Sequence, residues 1–207
     1  MAGRLPTAPS PSDVMNADTA ARLAGALSTP RLRLEPLCAD HADALFPILS
    51  DARTHRWIPP LRSDSVATLR ARWARLESRY EAGEARLAWA LRRTSDGALL
   101  GKLDADVDAD WVATNVGYVL APAVWGQGLA TEAVGAVVEH LVRSGVRELR
   151  ATVTVGNVAS CRVLEKHGFV CQGRLIGSEI LRGEPHDDWR YVRVEPSSGG
   201  AGRGHGG

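Results

Sequence analysis

Pro122-Ala-Val-Trp-Gly-Gln-Gly-Leu-Ala-Thr-Glu-Ala133 is the stretch from which the rest of the chain can be read. Before it, Asn115-Val-Gly-Tyr-Val-Leu120 is a short apolar run rich in strand formers. After it, Ala130, Ala133, Val134, Val137, Val138 and Leu141 recur at helical spacing. Glu132 falls in the first turn, Arg143 in the last and Gly145 just beyond, as the helix dipole and C-cap chemistry favour. Gly126, Gln127, Gly128, Leu129, Ala130 and Thr131 therefore form a turn that delivers a strand into a helix N-terminus. Backbone N–H groups without helical partners gather there, and the missing side chains let a pyrophosphate come close. The expected ligand is phosphorylated.

The kind of phosphate follows by elimination. A P-loop ends in Gly-Lys-Ser/Thr, whereas Gly128 is followed by Leu129, Ala130 and Thr131, which argues against NTP hydrolysis. A dinucleotide fingerprint needs a third glycine where Thr131 stands, and it belongs in a first βαβ unit rather than after several strands. Taken alone, the turn is equally an ordinary strand-to-helix loop.

It does not stand alone. Glu148-Leu-Arg-Ala-Thr-Val-Thr-Val155 reads as another strand, followed by Asn157-Val-Ala-Ser-Cys-Arg-Val-Leu-Glu-Lys-His-Gly-Phe169. With both motifs in place, the chain resembles the GCN5-related N-acetyltransferases (GNAT), and within them the branch of ribosomal-protein N-terminal acetyltransferases. The similarity runs from Thr29 to about Val194. Trp125 stands where the wider superfamily has Gln or Arg, a departure shared with that branch.

The resemblance implies an α+β fold, an α/β/α sandwich with a mixed, mostly antiparallel sheet. Its two central strands, here 115–120 and 148–155, splay into a V. It implies acetyl-CoA as cosubstrate, with the pantetheine arm on the backbone of Val119 and Leu120 and the pyrophosphate on Gly126, Gln127, Gly128, Leu129, Ala130 and Thr131. A main-chain N–H of that strand, such as Leu120, would bind the developing oxyanion. Gly117 is either the bulge that opens the gap or a plain strand glycine. Asn157 is an N-cap from its position, and the resemblance adds a bond to the coenzyme arm. Ser160 is a capping-turn serine or, by resemblance, the general acid for the thiolate. Glu179 falls where close family members carry the general base, with Glu184 and Asp187 as rivals. Trp57, in the loop 56–60, is a core-capping aromatic or a wall of the acceptor site.

Composition sets the limits. The chain has 207 residues, 44% hydrophobic and 24% charged, with a net charge of +1 that gives no broad pull toward nucleic acid or anionic membrane. Cys38, Cys161 and Cys171 contain no CxxC, which speaks against a disulfide framework or zinc, and no metal is expected. His41, His140 and His167 read as solvated helix residues. No run has transmembrane length and no signal-peptide block opens the chain, so the cytoplasm is the expected compartment.

Residues 1–28, with Pro6, Pro9 and Pro11, read as a flexible leader containing at most a short helix over 20–27; 29–195 form the domain; and 196–207 are a disordered glycine-rich tail. A strand is expected over 32–37, a helix from Asp40 whose middle Pro47 puts in question, a helix from Ser63 or Asp64 to about Glu81, and a hairpin turning at 95–97. Asp104-Ala-Asp-Val-Asp-Ala-Asp110 fails as a calcium loop, because Ala109 and Asn115 replace the required Gly and Glu. It is a solvated strand face or an acidic rim for a cationic amine. The last strands are expected over 170–174 and 188–194, joined by a polar connection that the resemblance makes part of a long hairpin, beside the acceptor site and often part of a homodimer.

These readings converge on direct acetyl transfer from acetyl-CoA to a primary amine in a ternary complex, since no cysteine has a histidine partner that recommends a covalent route. By analogy the acceptor is a protein N-terminal amine. A polyamine or aminoglycoside is the alternative, and a non-catalytic acyl-CoA-binding module is the rival of another class.

Overall fold

The computed structural model describes residues 14–59, 63–76, 80–81 and 83–195. In chain order the elements are α1 (Ala17–Leu23), β1 (Leu27–Ser28), β2 (Leu32–Pro36), α2 (Ala42–Leu49), α3 (Val66–Leu76), β3 (Tyr80–Glu81), β4 (Glu84–Arg93), β5 (Leu99–Val107), β6 (Val112–Leu120), α4 (Leu129–Arg143), β7 (Glu148–Thr154), α5 (Val158–Lys166), β8 (Val170–Leu181) and β9 (Glu184–Val194). The strands form one sheet in the order β1-β2-β4-β5-β6-β7-β9-β8, with β3 on β4. Every pairing is antiparallel except β6 with β7.

Side-chain alternation divides the strands between two cores. Leu87, Trp89 and Leu91 of β4, Leu103 and Ala105 of β5 and Val116 of β6 pack with α1, α4 and α5. Ala88 and Ala90 of β4 and Val119 of β6 pack with α2 and α3 through Leu45, Leu49, Leu69 and Trp73. The result is the expected α/β/α sandwich. In α4 the predicted stripe is the buried one, Ala133, Val134, Val137, Val138 and Leu141, with Leu129 added.

The central strands part as the resemblance implied. β6 and β7 pair through Val112↔Glu148 and Ala113↔Leu149, and no further pair follows among the described residues. Each strand stays bonded on its outer side: β6 to β5 as far as Leu120, β7 to β9 through Thr154. The gap therefore opens without loosening the sheet. The register break in β5–β6 lies between Asp106↔Asn115 and Val107↔Ala113, which makes Thr114 the extra residue. Gly117 pairs regularly with Asp104, so it is a plain strand glycine.

Several expectations need correction. Residues 14–28 are no flexible leader: Met15, Ala20, Leu23 and Ala24 are buried in the main core, and the helix begins at Ala17. Residues 1–13 and 196–207 lie outside the described residues. The second helix runs through Pro47, which in so short a helix removes one backbone bond. The third is capped by Ser65, whose Oγ accepts from Thr68 N–H at 3.2 Å, rather than by Ser63 or Asp64. It reaches Leu76, and Tyr80 belongs to a strand. The supposed polar connection is itself strand, turned at Arg182 and Gly183, both with positive φ.

The histidines are not solvated. His41 is buried with Nε2 3.3 Å from Glu35 Oε2 and Nδ1 3.2 Å from Cys38 Sγ, so the expectation that no cysteine has a histidine partner is corrected; His140 Nε2 lies 2.8 Å from Leu23 C=O, and His167 Nε2 lies 2.7 Å from Thr131 C=O. Each ties separate elements together.

Gly101 shows how tightly the wall of the gap is built. A side chain there would begin 1.9 Å from Val119 C=O and 2.9 Å from Leu120 Cα. Gly101→Ala must displace β6, and overpacking against backbone is expected to cost about 3 kcal/mol or more. The check is the shift in urea midpoint at unchanged slope.

Candidate active site

The site begins at the turn after β6. Pro122–Val124 form a short 3₁₀ turn, and Trp125 Nε1 reaches back to donate to Leu120 C=O at 2.8 Å. Gly126 and Gly128 take φ of 75° and 76°, left-handed values that favour glycine, and Gly128 is the N-cap of α4. Gly126, Gln127 and Gly128 are exposed, and a side chain on Gly126 would meet nothing within 4 Å. The N–H groups of Leu129, Ala130 and Thr131 open the helix, where Gly128 offers no capping side chain. Backbone N–H groups gathered in this way can hold an anion.

The gap between β6 and β7 adjoins it. Ala121 N–H donates to Leu100 C=O at 2.7 Å, which fixes the hydrogen-bonding phase of the β5–β6 pair. Main-chain groups alternate sides along a strand. Tyr118 and Leu120 therefore turn their N–H and C=O groups toward β7, while Val119 turns its own toward β5. The expectation that the Val119 backbone faces the gap is corrected: Val119 contributes a side chain on the α2/α3 face.

On the other face, Asn157 caps α5, its side chain accepting from Ser160 N–H at 3.3 Å. The cap fixes the first turn and carries the Ser160 hydroxyl to 3.0 Å from the Tyr118 hydroxyl. Burial raises the Tyr118 phenol above its ordinary value, against a lowering by the Ser160 bond, so it holds its proton at neutral pH. Tyr118 was legible in the sequence only as a strand former.

Trp57 follows a short 3₁₀ turn over Thr54–Arg56. Its C=O accepts from Thr154 Oγ1 at 3.1 Å, and its ring lies 3.3 Å from where a side chain on Gly156 would begin. Arg56 stacks on the indole, 4.8 Å from its centroid. Trp57 thus stands at the mouth of the gap beside Asn157. Pro60, in the same predicted loop, lies outside the described residues.

Glu179 sits on β8 opposite His186, with its carboxylate accepting from Ile180 N–H at 3.0 Å. No hydrogen bond joins it to Ser160 or Tyr118 among the described residues. Its rival Asp187 holds Arg174 and the N–H of Gly177, which fits a role in shaping the hairpin.

On the α2/α3 face a cavity of about 520 Å³ abuts β6 at Asn115 and Val119. One wall is apolar, with Leu49, Ile58, Leu69 and Trp73; the sheet wall carries Arg86, Lys102, Asp104 and Asp106. Arg86 binds Asp106 at 3.1 Å and Glu84 at 2.9 Å, and Lys102 pairs with Asp104. Burial raises the Asp106 carboxyl above the usual range, with Arg86 opposing. The alternating aspartates are thus no simple solvated face. Among the described residues no group of His, Cys, Asp or Glu is arranged to hold a metal ion, and no helix is long and apolar enough to cross a membrane.

Comparison with known proteins decides the family. Residues 31–170 match the model of the GNAT acetyltransferase domain. The chain belongs to the GNAT acetyltransferases. It is 26% identical over 172 residues to the uncharacterized N-acetyltransferase YoaA of Bacillus subtilis, covering 82% of this chain and 97% of that one. Among solved structures, its fold is similar to RimL, a ribosomal L7/L12 α-N-protein acetyltransferase in complex with coenzyme A (TM-score 0.71, 22% identity, 82% and 98% of the two chains). It is also similar to Mycobacterium smegmatis RimJ in complex with CoA-disulfide (TM-score 0.70, 24% identity, 82% and 86%).

The Asn157 cap is open to direct test. Asn157→Ala should lower stability by about 1 kcal/mol, while Asn157→Asp, which keeps an accepting oxygen, should lose far less. Chemical denaturation of the two variants separates these outcomes.

Proposed function

We propose that this GNAT protein transfers an acetyl group from acetyl-CoA to a primary amine by direct attack in a ternary complex, with a protein N-terminal amine as the first choice of acceptor. The observation that carries the reading is the opened β6–β7 gap, flanked by the backbone anion cradle at Gly126–Thr131. An extended pantetheine arm can pair with the main-chain groups of Tyr118 and Leu120 while the pyrophosphate rests on the helix N-terminus. Asn157, at the mouth, is a second contact for the arm. The shared fold of RimL and RimJ, solved with coenzyme A species, supports both coenzyme and acceptor class.

The chemistry follows from the groups present. The amine nitrogen bonds to the thioester carbon as the carbon–sulfur bond breaks. The developing oxyanion falls to the Leu120 N–H, which the strand phase turns into the gap. The departing sulfur takes a proton from Ser160 Oγ, Tyr118, protonated and 3.0 Å away, replaces it, and the proton that leaves the nitrogen as the amide forms restores Tyr118 through solvent. Glu179 is proposed to accept the proton that the acceptor ammonium must lose. Trp57, at the mouth, is proposed to contact the acceptor.

The cavity suggests a second reading of the acceptor, a small amine with an apolar body. Its apolar wall faces Glu81, Asp104 and Asp106, but Arg72, Arg86 and Lys102 line it too, with Lys102 on Asp104 and Arg86 on Asp106, so a cationic acceptor would have to displace one of those partners. An acceptor screen spanning N-terminal peptides, polyamines and aminoglycosides decides between the two.

Calorimetric titration with acetyl-CoA, CoA and ATP tests the coenzyme: micromolar binding of both CoA species and none of ATP is expected, and absence of CoA binding by folded protein overturns the reading. With an acceptor in hand, Ser160→Ala should lower kcat about 100-fold and Tyr118→Phe by a smaller factor, with little change in the KM for acetyl-CoA. Glu179→Gln should lower kcat about 100-fold. Full turnover by Ser160→Ala would remove Ser160 as the acid, and full turnover by Glu179→Gln would remove Glu179 as the base.

A further inference from the structure

The cradle has an electrostatic problem. Glu132 lies in the first turn of α4, one residue past the N–H groups proposed to hold the pyrophosphate. A carboxylate there complements the helix dipole, yet it repels a bound anion.

The first strands answer it. Glu132 Oε1 accepts from Thr29 Oγ1 at 2.5 Å and from Arg31 N–H at 2.8 Å, while Oε2 accepts from Arg31 Nε at 2.6 Å. The same guanidinium extends past the carboxylate: its Nη1 donates to Gln127 C=O at 2.9 Å, and its Nη2 lies 3.6 Å from where a side chain on Gly128 would begin. The Glu132 side chain is 15% exposed and that of Arg31 50%. Burial raises the Glu132 carboxyl, but the bonds from Thr29 and Arg31 outweigh it and hold the group below its ordinary value, so it is ionised and fully engaged. The far side of the same turn is held by His167 on Thr131 C=O.

We infer that Arg31 is a positioning residue for the coenzyme: it cancels the Glu132 charge beside the pyrophosphate cradle and pins Gln127, so that the N–H groups of the turn stay directed at the anion. Thr29 completes the clamp. This rests on the acetyl-CoA reading above. Arg31 acts on ground-state binding, not on bond breaking, so its loss should appear in the KM for acetyl-CoA rather than in kcat.

The test is a charge-cancellation cycle read by calorimetry with CoA and by steady-state kinetics. Arg31→Ala should weaken CoA binding about tenfold and raise the KM for acetyl-CoA in proportion, with kcat nearly unchanged. Glu132→Gln should bind CoA at least as tightly as wild type, and the Arg31→Ala/Glu132→Gln double variant should recover most of the lost affinity. Arg31→Gln, which keeps a donor without the charge, should behave as Arg31→Ala does and carries the cycle if the alanine variant does not fold. Unchanged CoA affinity in a folded Arg31 variant overturns the inference. So does a double variant as weak as the single one, because a purely structural loss is not rescued by removing the opposite charge. Wild-type protein that fails to bind CoA instead overturns the acetyl-CoA reading itself.

Discussion

The structure depends on two neighbouring strands that stop bonding to each other while each keeps its other neighbour. β6 is secured by β5 to Leu120 and β7 by β9 to Thr154, so the separation beyond Ala113↔Leu149 leaves the sheet intact. The groups left in the gap are polar backbone, and buried backbone without partners is costly. One is met internally, by Trp125 on Leu120 C=O. A ligand with its own amides can satisfy such a surface at little conformational cost to the protein, because both walls are already fixed.

That constraint explains the division of the chemistry. Strand alternation sends Tyr118 to the α4/α5 face, where it meets Ser160, and Val119 to the opposite face, where it borders the cavity. Gly117, beside Asp104 and on the same face as Val119, adds no side chain of its own between cavity and gap. The groups proposed as proton donors thus lie on one side of β6 and the charged cavity on the other. The strand itself separates them, and the gap is where they connect.

How much of this the sequence disclosed follows from the range of each interaction. The stripe of α4, the Gly126–Gly128 turn and the Asn157 cap are signals within a few residues, and they were readable. Contacts that join distant segments were not. Glu132 reads as a residue suited to a helix dipole, and nothing local says that Arg31, 101 residues earlier, closes on it. Tyr118 and Ser160 are 42 residues apart and meet only because of the strand's phase. The resemblance anticipated the β8–β9 hairpin, but the residues themselves gave its strands too short, because β8 is exposed along most of its length and lacks the apolar alternation that marks a half-buried strand. His140 and His167 were misjudged because their partners are backbone carbonyls 117 and 36 residues away, which composition cannot reveal.

The prolines at 6, 9 and 11 suggested a leader, while Met15, Ala20, Leu23 and Ala24 were too few to announce a core-facing helix. Their burial has a functional consequence. His140 of α4 reaches Leu23 C=O at 2.8 Å, and Trp89 Nε1 donates to Gly25 C=O at 2.9 Å, so the segment leading into Thr29 is tied to both α4 and the sheet. Thr29 and Arg31 then grip the first turn of the same helix. The N-terminal segment therefore joins Trp125 on Leu120 C=O and His167 on Thr131 C=O in holding the turn at the start of α4 beside the gap.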